Sequence, residues 1–407
     1  MKVLIANWIY NWGSTGYILR DLKNGLQAQG IDVRVASGVS RDDDPSIFTF
    51  SSDKERAMYG RVTNFGWSRL RGSTAAAKKL ICFIEQEKPD LVHLHLLHCT
   101  TINLYHLLSY LGRNHIKTIL TNHAELYYTG TCGHAFDCDK FVLDECRGCE
   151  HPNKATESYC FASPHRHWKR MSESLKDFNS STFRNTAVSP WLKDRIVRSS
   201  MMNRFECDVV MNGVDTDIFK KREATGRVEN ELGDKLGKYA LFVSAHFAPT
   251  DYNDLKGGCY IVELAKQMPE LTFVVVATEY SNTDKLPANI LFWGKAASQV
   301  ELAELYSNAA MTVLASRRET FSMICAETLC CGTPVVGFLA GGPESISLPE
   351  FSSFVEYPNL EKLKERVDYY LNKQLDRKAI SEKAIATYSR KAMTDGYLES
   401  YKKLIDV

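Results

Sequence analysis

Residues 311–338 read MTVLASRRETFSMICAETLCCGTPVVGF. The apolar opening, 311–315, suits a short buried strand. A polar run through Arg317, Arg318, Glu319 and Thr320 follows. Residues 321–331 then carry a helix-forming pattern that Gly332 ends, with Pro334 just beyond. Residues 335–338, VVGF, form a second strand-like run. A strand, a helix and a strand in so short a span make a βαβ unit, and parallel strands of this kind lie in a sheet covered by helices on both faces.

The same alternation extends on both sides. Strand-like runs at 239–243, 272–277 and 291–293 alternate with helical runs at 258–267 and 300–309. Towards the start, runs at 3–6, 33–36, 91–95 and 118–121 alternate with helices at 17–29 and 75–87, the second stopped by Pro89. Strand–helix alternation throughout predicts an α/β chain with two Rossmann-like sheets in series. A length of 407 residues suits two domains. The composition turns charged and glycine-containing over 215–234, which puts the boundary there. The expected division is 1–216 for the first domain and 217–387 for the second, with a helical closing run at 388–407.

The charge balance excludes one class of function. Fifty Lys and Arg residues stand against 49 acids, a formal charge of +1. That gives no support to bulk nucleic-acid binding. The apolar runs reach strand length only, and Asn7 and Asn11 interrupt any signal-peptide layout near the start, so a cytoplasmic protein is expected.

The candidate chemistry gathers around the opening stretch. Glu319 and Glu327 stand with seven residues between them, one on the loop after a strand and one inside the next helix. That loop lies at the carboxyl edge of a parallel sheet, where open α/β sheets bind ligands. The helix start, at Phe321 and Ser322, offers unpaired N–H groups and a positive dipole that suit a diphosphate. Glu327 can accept from a ribose, and Glu319 can hold sugar hydroxyls. The plain alternative is two solvated surface carboxylates. Lys256, before Gly257 and Gly258, can place an ammonium on phosphates, or can be an ordinary helix entry. Gly13 and Gly16 follow the first strand without the full G-x-G-x-x-G fingerprint, and no acidic residue follows the second strand at once, since Ala36-Ser37-Gly38 comes there, which disfavours a nicotinamide enzyme. His123, after the strand at 118–121, can donate to a substrate oxygen. His93 and His95 read as structural histidines, although His95 stands at a strand end.

Taken together, these residues resemble family 4 retaining glycosyltransferases of the GT-B fold. The likeness rests on Glu319 and Glu327, on Gly332-Thr333-Pro334-Val335-Val336, on Gly341-Gly342-Pro343-Glu344, on Asn212-Gly213-Val214-Asp215 with Phe219, and on the opening Gly13–Gly16 turn. It implies two Rossmann-like domains facing across a cleft, and a last helix bearing Tyr397 and Tyr401 that crosses back to the first domain. It implies transfer from a nucleoside-diphosphate sugar to a glycan or lipid-linked glycan, as in surface-polysaccharide biosynthesis, with retention and with no metal needed for catalysis. Glu327 would hold the ribose, and Glu319 the donor sugar with N–H groups of Phe321 and Ser322. Lys256 would neutralise the diphosphate, Gly13 and Gly16 would lie near the phosphates, and His123 would face the transferred sugar. The sequence departs from the family twice. His246 stands where an arginine is usual, before an unusually long 247–255 loop, and Ala124 then Glu125 follow His123 where an aspartate is usual. A sugar-nucleotide epimerase of the same fold and a non-catalytic nucleotide-sugar-binding module are the alternatives.

Two stretches stand apart. Cys132, Cys138, Cys146 and Cys149 fall within 18 residues, with one Cys-x-x-Cys pair. They suit a structural zinc site, or else a reduced cysteine-rich loop. Basic and aromatic residues mix over 61–71 and 165–170, which suits peripheral contact with an anionic membrane face or a solvated helix face.

Overall fold

The computed structural model describes residues 1–41, 44–63, 65, 68–97, 101–281, 283 and 285–406. Chain contacts divide it into two compact units, Met1–Met211 with Met393–Val407, and Asn212–Ala392. The division expected from composition was 216/217 and 387/388.

The first unit is built on seven described strands: β1 (Lys2–Tyr10), β2 (Asp32–Ser40), β3 (Ile47–Thr49), β4 (Leu91–Leu94), β5 (Thr118–Asn122), β6 (Phe183–Ala187) and β7 (Cys207–Val209). Their order is β3-β2-β1-β4-β5-β6-β7, and the pairings are parallel. The second unit has six: β8 (Tyr239–Phe247), β9 (Thr272–Tyr280), β10 (Ile290–Gly294), β11 (Met311–Leu314), β12 (Val335–Phe338) and β13 (Ser352–Val355). Their order is β10-β9-β8-β11-β12-β13, again parallel. Both sheets are doubly wound. The order reverses between β1 and β4 in one and between β8 and β11 in the other, and such switch points open a crevice at the carboxyl ends of the strands.

Each sheet is covered by amphipathic helices. In the second unit, Ile261, Leu264 and Ala265 of the helix Gly258–Gln267 pack with Phe273, Val275, Val313 and Val336. In the first, Leu19, Leu22 and Leu26 of the helix Gly13–Ala28 pack with Val3, Ile5 and Val35. Met393, Tyr397, Tyr401 and Leu404 of the final helix, Arg390–Ile405, belong to that same first-unit core.

β3, β6, β7 and β13 are absent from the sequence reading. β6 is FRNTA, and its Asn185 and Thr186 are fully buried although polar, so it lacks the apolar signal of a buried strand. β1, β2, β8 and β9 run longer than their apolar cores predict. The helix Pro164–Ser174 turns His167 and Trp168 inwards and leaves Arg166 and Lys169 outside, so the aromatic member of the 165–170 stretch is not on the surface. Of the 61–71 stretch, Leu70 is buried and Phe65 exposed, while Asn64, Gly66 and Trp67 lie outside the described residues. No described helix is long and apolar enough to cross a membrane.

Candidate active site

The switch point of the second sheet is assembled by three loops. After β8 the chain reaches Asp254, whose carboxylate accepts from the backbone N–H of Lys256 and of Gly257, both at 3.1 Å. This Asx turn sets Lys256 at the head of the helix Gly258–Gln267. Gly257 adopts φ +71°, and a Cβ there would lie 2.2 Å from the carbonyl oxygen of Ala315, so a side chain is excluded on both counts. The Arg317 N–H donates to the Leu255 carbonyl at 2.9 Å and locks this loop to the one after β11.

That second loop presents Glu319. Its N–H donates to the Ala340 carbonyl at 3.0 Å and its carbonyl accepts from Gly342 at 2.8 Å. The third loop is capped by Glu344, which accepts from the Ala340 and Gly341 N–H groups at 3.0 and 2.6 Å. So fixed, the Glu319 carboxylate meets the Lys256 ammonium at 2.6 Å and accepts from the Ser316 hydroxyl at 2.9 Å. Lys256, expected to meet phosphate after an unusually long loop, is thus brought directly to Glu319.

Ser322 precedes the helix Met323–Cys330 with φ +83°, an uncommon conformation for a residue bearing a Cβ. The helix therefore starts two residues later than its sequence pattern predicts. Ser322 caps it by accepting from Cys325 N–H at 3.4 Å. The buried Phe321 lies beside it, and its N–H would be 2.4 Å from a Cβ at Gly342. Glu327 lies one turn further in and accepts from the Tyr306 hydroxyl at 3.3 Å. Burial pushes its carboxyl up to about 8. His246 sits near the end of β8, where its N–H meets the Ser244 hydroxyl at 3.3 Å. Among the described residues no hydrogen bond or ion pair joins it to Lys256 or Glu319.

The first sheet carries the other predicted residues. Gly13 opens the helix Gly13–Ala28 at φ +64°. The Gly16 carbonyl accepts from the Asn11 N–H at 3.2 Å, and a Cβ at Gly16 would crowd that same nitrogen at 3.3 Å. His123 follows β5, with its Nε2 3.0 Å from Nδ1 of His95. The His95 ring stands 4.1 Å from that of His93, whose two nitrogens meet the hydroxyls of Tyr401 and Thr121, each at 2.7 Å. Burial lowers all three histidines, His123 to about 4, so at neutral pH the stack is uncharged. Glu125 takes a structural role. It is fully buried, pairs with Arg195, and accepts from Tyr128 Oη at 3.0 Å and from Ala135 N–H at 2.6 Å.

Sequence reasoning missed Asp254, Ser316 and Tyr306. Asp254, two residues before a Lys-Gly-Gly, is a recognisable turn signal. Ser316 and Tyr306 are fixed by tertiary packing and carry no such signal.

Two doubly wound parallel sheets in one chain, the second with a lysine–glutamate pair and a helix start at its switch point, define the GT-B class of protein. Comparison with known proteins narrows this. Residues 15–218, half of the chain, match the model of Glycosyltransferase Family 4, and residues 266–387 match Glycosyl transferases group 1. The chain belongs to glycosyltransferase family 4. It is 28% identical over 154 residues to the D-inositol 3-phosphate glycosyltransferase of Thermomonospora curvata, a match that spans 33% of this chain and 36% of that relative. Among solved structures it resembles sucrose-phosphate synthase of Thermosynechococcus elongatus (TM-score 0.64, 14% identity, 100% of this chain and 99% of that one). It also resembles Anabaena HepE in complex with UDP-glucose (TM-score 0.60, 13% identity, 99% and 100%).

Proposed function

We propose that this chain moves a sugar from a nucleoside-diphosphate sugar to a hydroxyl of a glycan or lipid-linked glycan, with retention at the anomeric carbon, in surface-polysaccharide assembly. The observation that carries the reading is the Lys256–Glu319 pair, 2.6 Å apart at the β8/β11 switch point. A diphosphate would take the ammonium of Lys256 and the N–H groups at Phe321 and Ser322. Glu319 would then be released to the hydroxyls of the donor sugar, and Glu327 would accept from the ribose. In the retaining reaction the bond from the anomeric carbon to phosphate oxygen breaks and the bond to the acceptor oxygen forms on the same face. The acceptor's proton passes to the departing phosphate. His123, neutral at physiological pH, would hydrogen-bond the transferred sugar, and Gly13 and Gly16 would admit the phosphates close to backbone. Lysine and helix dipole supply the charge stabilisation, so no divalent metal is assigned to the reaction.

UDP-glucose in the HepE structure makes UDP the first nucleotide to test. An anionic, lipid-linked acceptor is favoured by the first unit. There Arg71, Arg113, Lys169 and Arg170 line an open cavity of about 590 Å³ together with Glu173. Such a face would also draw the protein to the inner surface of an anionic membrane.

The test is a thermal-shift panel of UDP, GDP, ADP and their sugars, without magnesium, on the wild-type chain and on Glu327→Ala. A rise in Tm with one base, lost in the variant, is expected. No shift with any nucleotide overturns the donor site. Binding of the donor with neither hydrolysis nor transfer would favour a non-catalytic binding module instead.

A further inference from the structure

β4 and β5 lie side by side in the first sheet, with His93 paired to Ile119. Alternation along each strand then puts His93 and His95 on the same face as Thr121 and His123. The final helix lies against that face, its Tyr397 ring 4.9 Å from the ring of His93 and 5.8 Å from that of His95. On the other side the Thr121 hydroxyl meets the Thr186 hydroxyl of β6 at 2.6 Å. The result is a row of polar side chains running under the helix to the carboxyl end of the sheet. Among the described residues no group of three or more His, Cys, Asp or Glu is placed to hold a metal ion, and that includes these three rings as well as Cys132, Cys138, Cys146 and Cys149.

His95 is fully buried and held from several sides. Its N–H donates to the Ala6 carbonyl at 2.8 Å, and its carbonyl accepts from the Tyr127 hydroxyl at 2.8 Å. Its ring lies between those of His93 and His123, with centroids 4.1 and 5.3 Å away. Nδ1 of His95 is 3.0 Å from Nε2 of His123, whereas its Nε2 is buried and meets no hydrogen-bond partner among the described residues. With both rings uncharged, each carries a single proton, and one of the two lies between them. If His123 owned the shared proton, the proton of His95 would sit on Nε2, a buried N–H with no acceptor, and orphaned buried N–H groups are the rarer defect. If His95 owns it, His95 leaves only a bare lone pair in the interior. The proton of His123 then sits on Nδ1, the nitrogen not used by His95. His93 does not compete for this arrangement, because its two nitrogens meet the hydroxyls of Tyr401 and Thr121.

We propose that His95 is a positioning residue whose Nδ1–H donates to Nε2 of His123 and fixes His123 as the tautomer with its proton on Nδ1. So held, His123 can donate a hydrogen bond to the transferred sugar but has no lone pair left with which to act as a base. That leaves the departing phosphate to take the acceptor's proton. Tyr397 and His93 keep the His95 ring in place, so the final helix supports His123 through two layers of side chains. The role towards the sugar rests on the sugar-transfer reading, whereas the tautomer rests on the geometry of the first unit alone.

Long-range proton–nitrogen correlation spectra of the full-length chain, labelled with heavy nitrogen in histidine, read the tautomer at neutral pH, since protonated and bare ring nitrogens resonate far apart. The signals that vanish in His123→Gln belong to His123. They should show a protonated Nδ1 and a bare Nε2. A proton on Nε2, on both nitrogens, or exchanging between them overturns the proposal. His95→Leu keeps the bulk and removes the donor, so the His123 proton should begin to exchange between its nitrogens. His95→Asn places an amide N–H close to the position of Nδ1 and should restore the single form. If the Leu variant does not fold, the wild-type and Asn spectra decide. Calorimetry then separates sugar from nucleotide. With UDP and UDP-glucose, or with whichever diphosphate and nucleotide sugar shift the wild type, His95→Leu should weaken the nucleotide sugar about fivefold, the worth of one hydrogen bond, and leave the diphosphate unchanged. Equal losses for both ligands, or none for either, would overturn the role towards the sugar. No binding of any such pair to the wild type would overturn the sugar-transfer reading and that role with it, while the spectra would still judge the tautomer.

Discussion

At the scale of single residues, the second sheet's site depends on groups whose usual states are altered by where they sit. Glu327 is the clearest. Burial raises its carboxyl to about 8, so at pH 7 the ligand-free protein holds it largely protonated. A ribose hydroxyl donates best to the ionised form. The ionised fraction grows as pH rises through 8, so affinity for a nucleotide sugar should rise over that interval and level off above about pH 9. The phosphate diesters of such a donor do not titrate there. Calorimetric titrations from pH 6.5 to 9 should show this rise in the wild type and a flat profile in Glu327→Gln. A rise that persists in the variant would place the titrating group elsewhere. Gly257 illustrates the other residue-scale constraint, a backbone position that only glycine can fill beside Ala315.

At the scale of elements, loops hold Lys256, Glu319 and His123, and buried polar groups hold the loops. The fully buried Glu125 ties the turn after β5 to the 132–149 loop and to the helix Pro190–Arg198 through Arg195. Removing one partner of a buried ion pair strands the other charge and costs about 3–5 kcal/mol. Arg195→Ala should therefore lower the unfolding free energy by about that amount in urea titrations and speed proteolysis within 132–149. A loss below about 1 kcal/mol would show that the pair behaves as a surface ion pair. From the sequence, Glu125 read only as a departure from the family pattern after His123. Its real environment comes from residues 10 and 70 positions away, and no local pattern announces that.

At the scale of the whole molecule, the last helix returns to the first sheet. Tyr401 is fully buried there, with its hydroxyl 2.7 Å from His93 Nδ1. Tyr401→Ala removes a large core side chain and strands a buried ring nitrogen, so it should cost about 3–5 kcal/mol and lower the Tm of the first unit. A loss under about 1 kcal/mol by the same urea titration would show the helix to be only loosely docked.

The alternation of apolar strands and helical runs was legible because parallel strands buried on both faces must be nearly all apolar, as at 311–315 and 335–338. Gly332 with Pro334, and Pro89 after the helix at 75–87, marked helix ends by local chemistry alone. The candidate site was legible as residue types at a spacing, Glu319 with Glu327 and Lys256 before two glycines. Only the tertiary structure decided that Lys256 meets Glu319, that Tyr306 meets Glu327 and that His95 stacks between His93 and His123. Apart from His93 and His95, which neighbour each other at one strand end, those pairings join residues distant in the chain, and side-chain contact across strands is set by sheet order. The polar strand β6 escaped the sequence for a related reason. Its place is secured by partners on β5 and β7 and not by its own apolar content, and partners become visible only when the sheet is assembled.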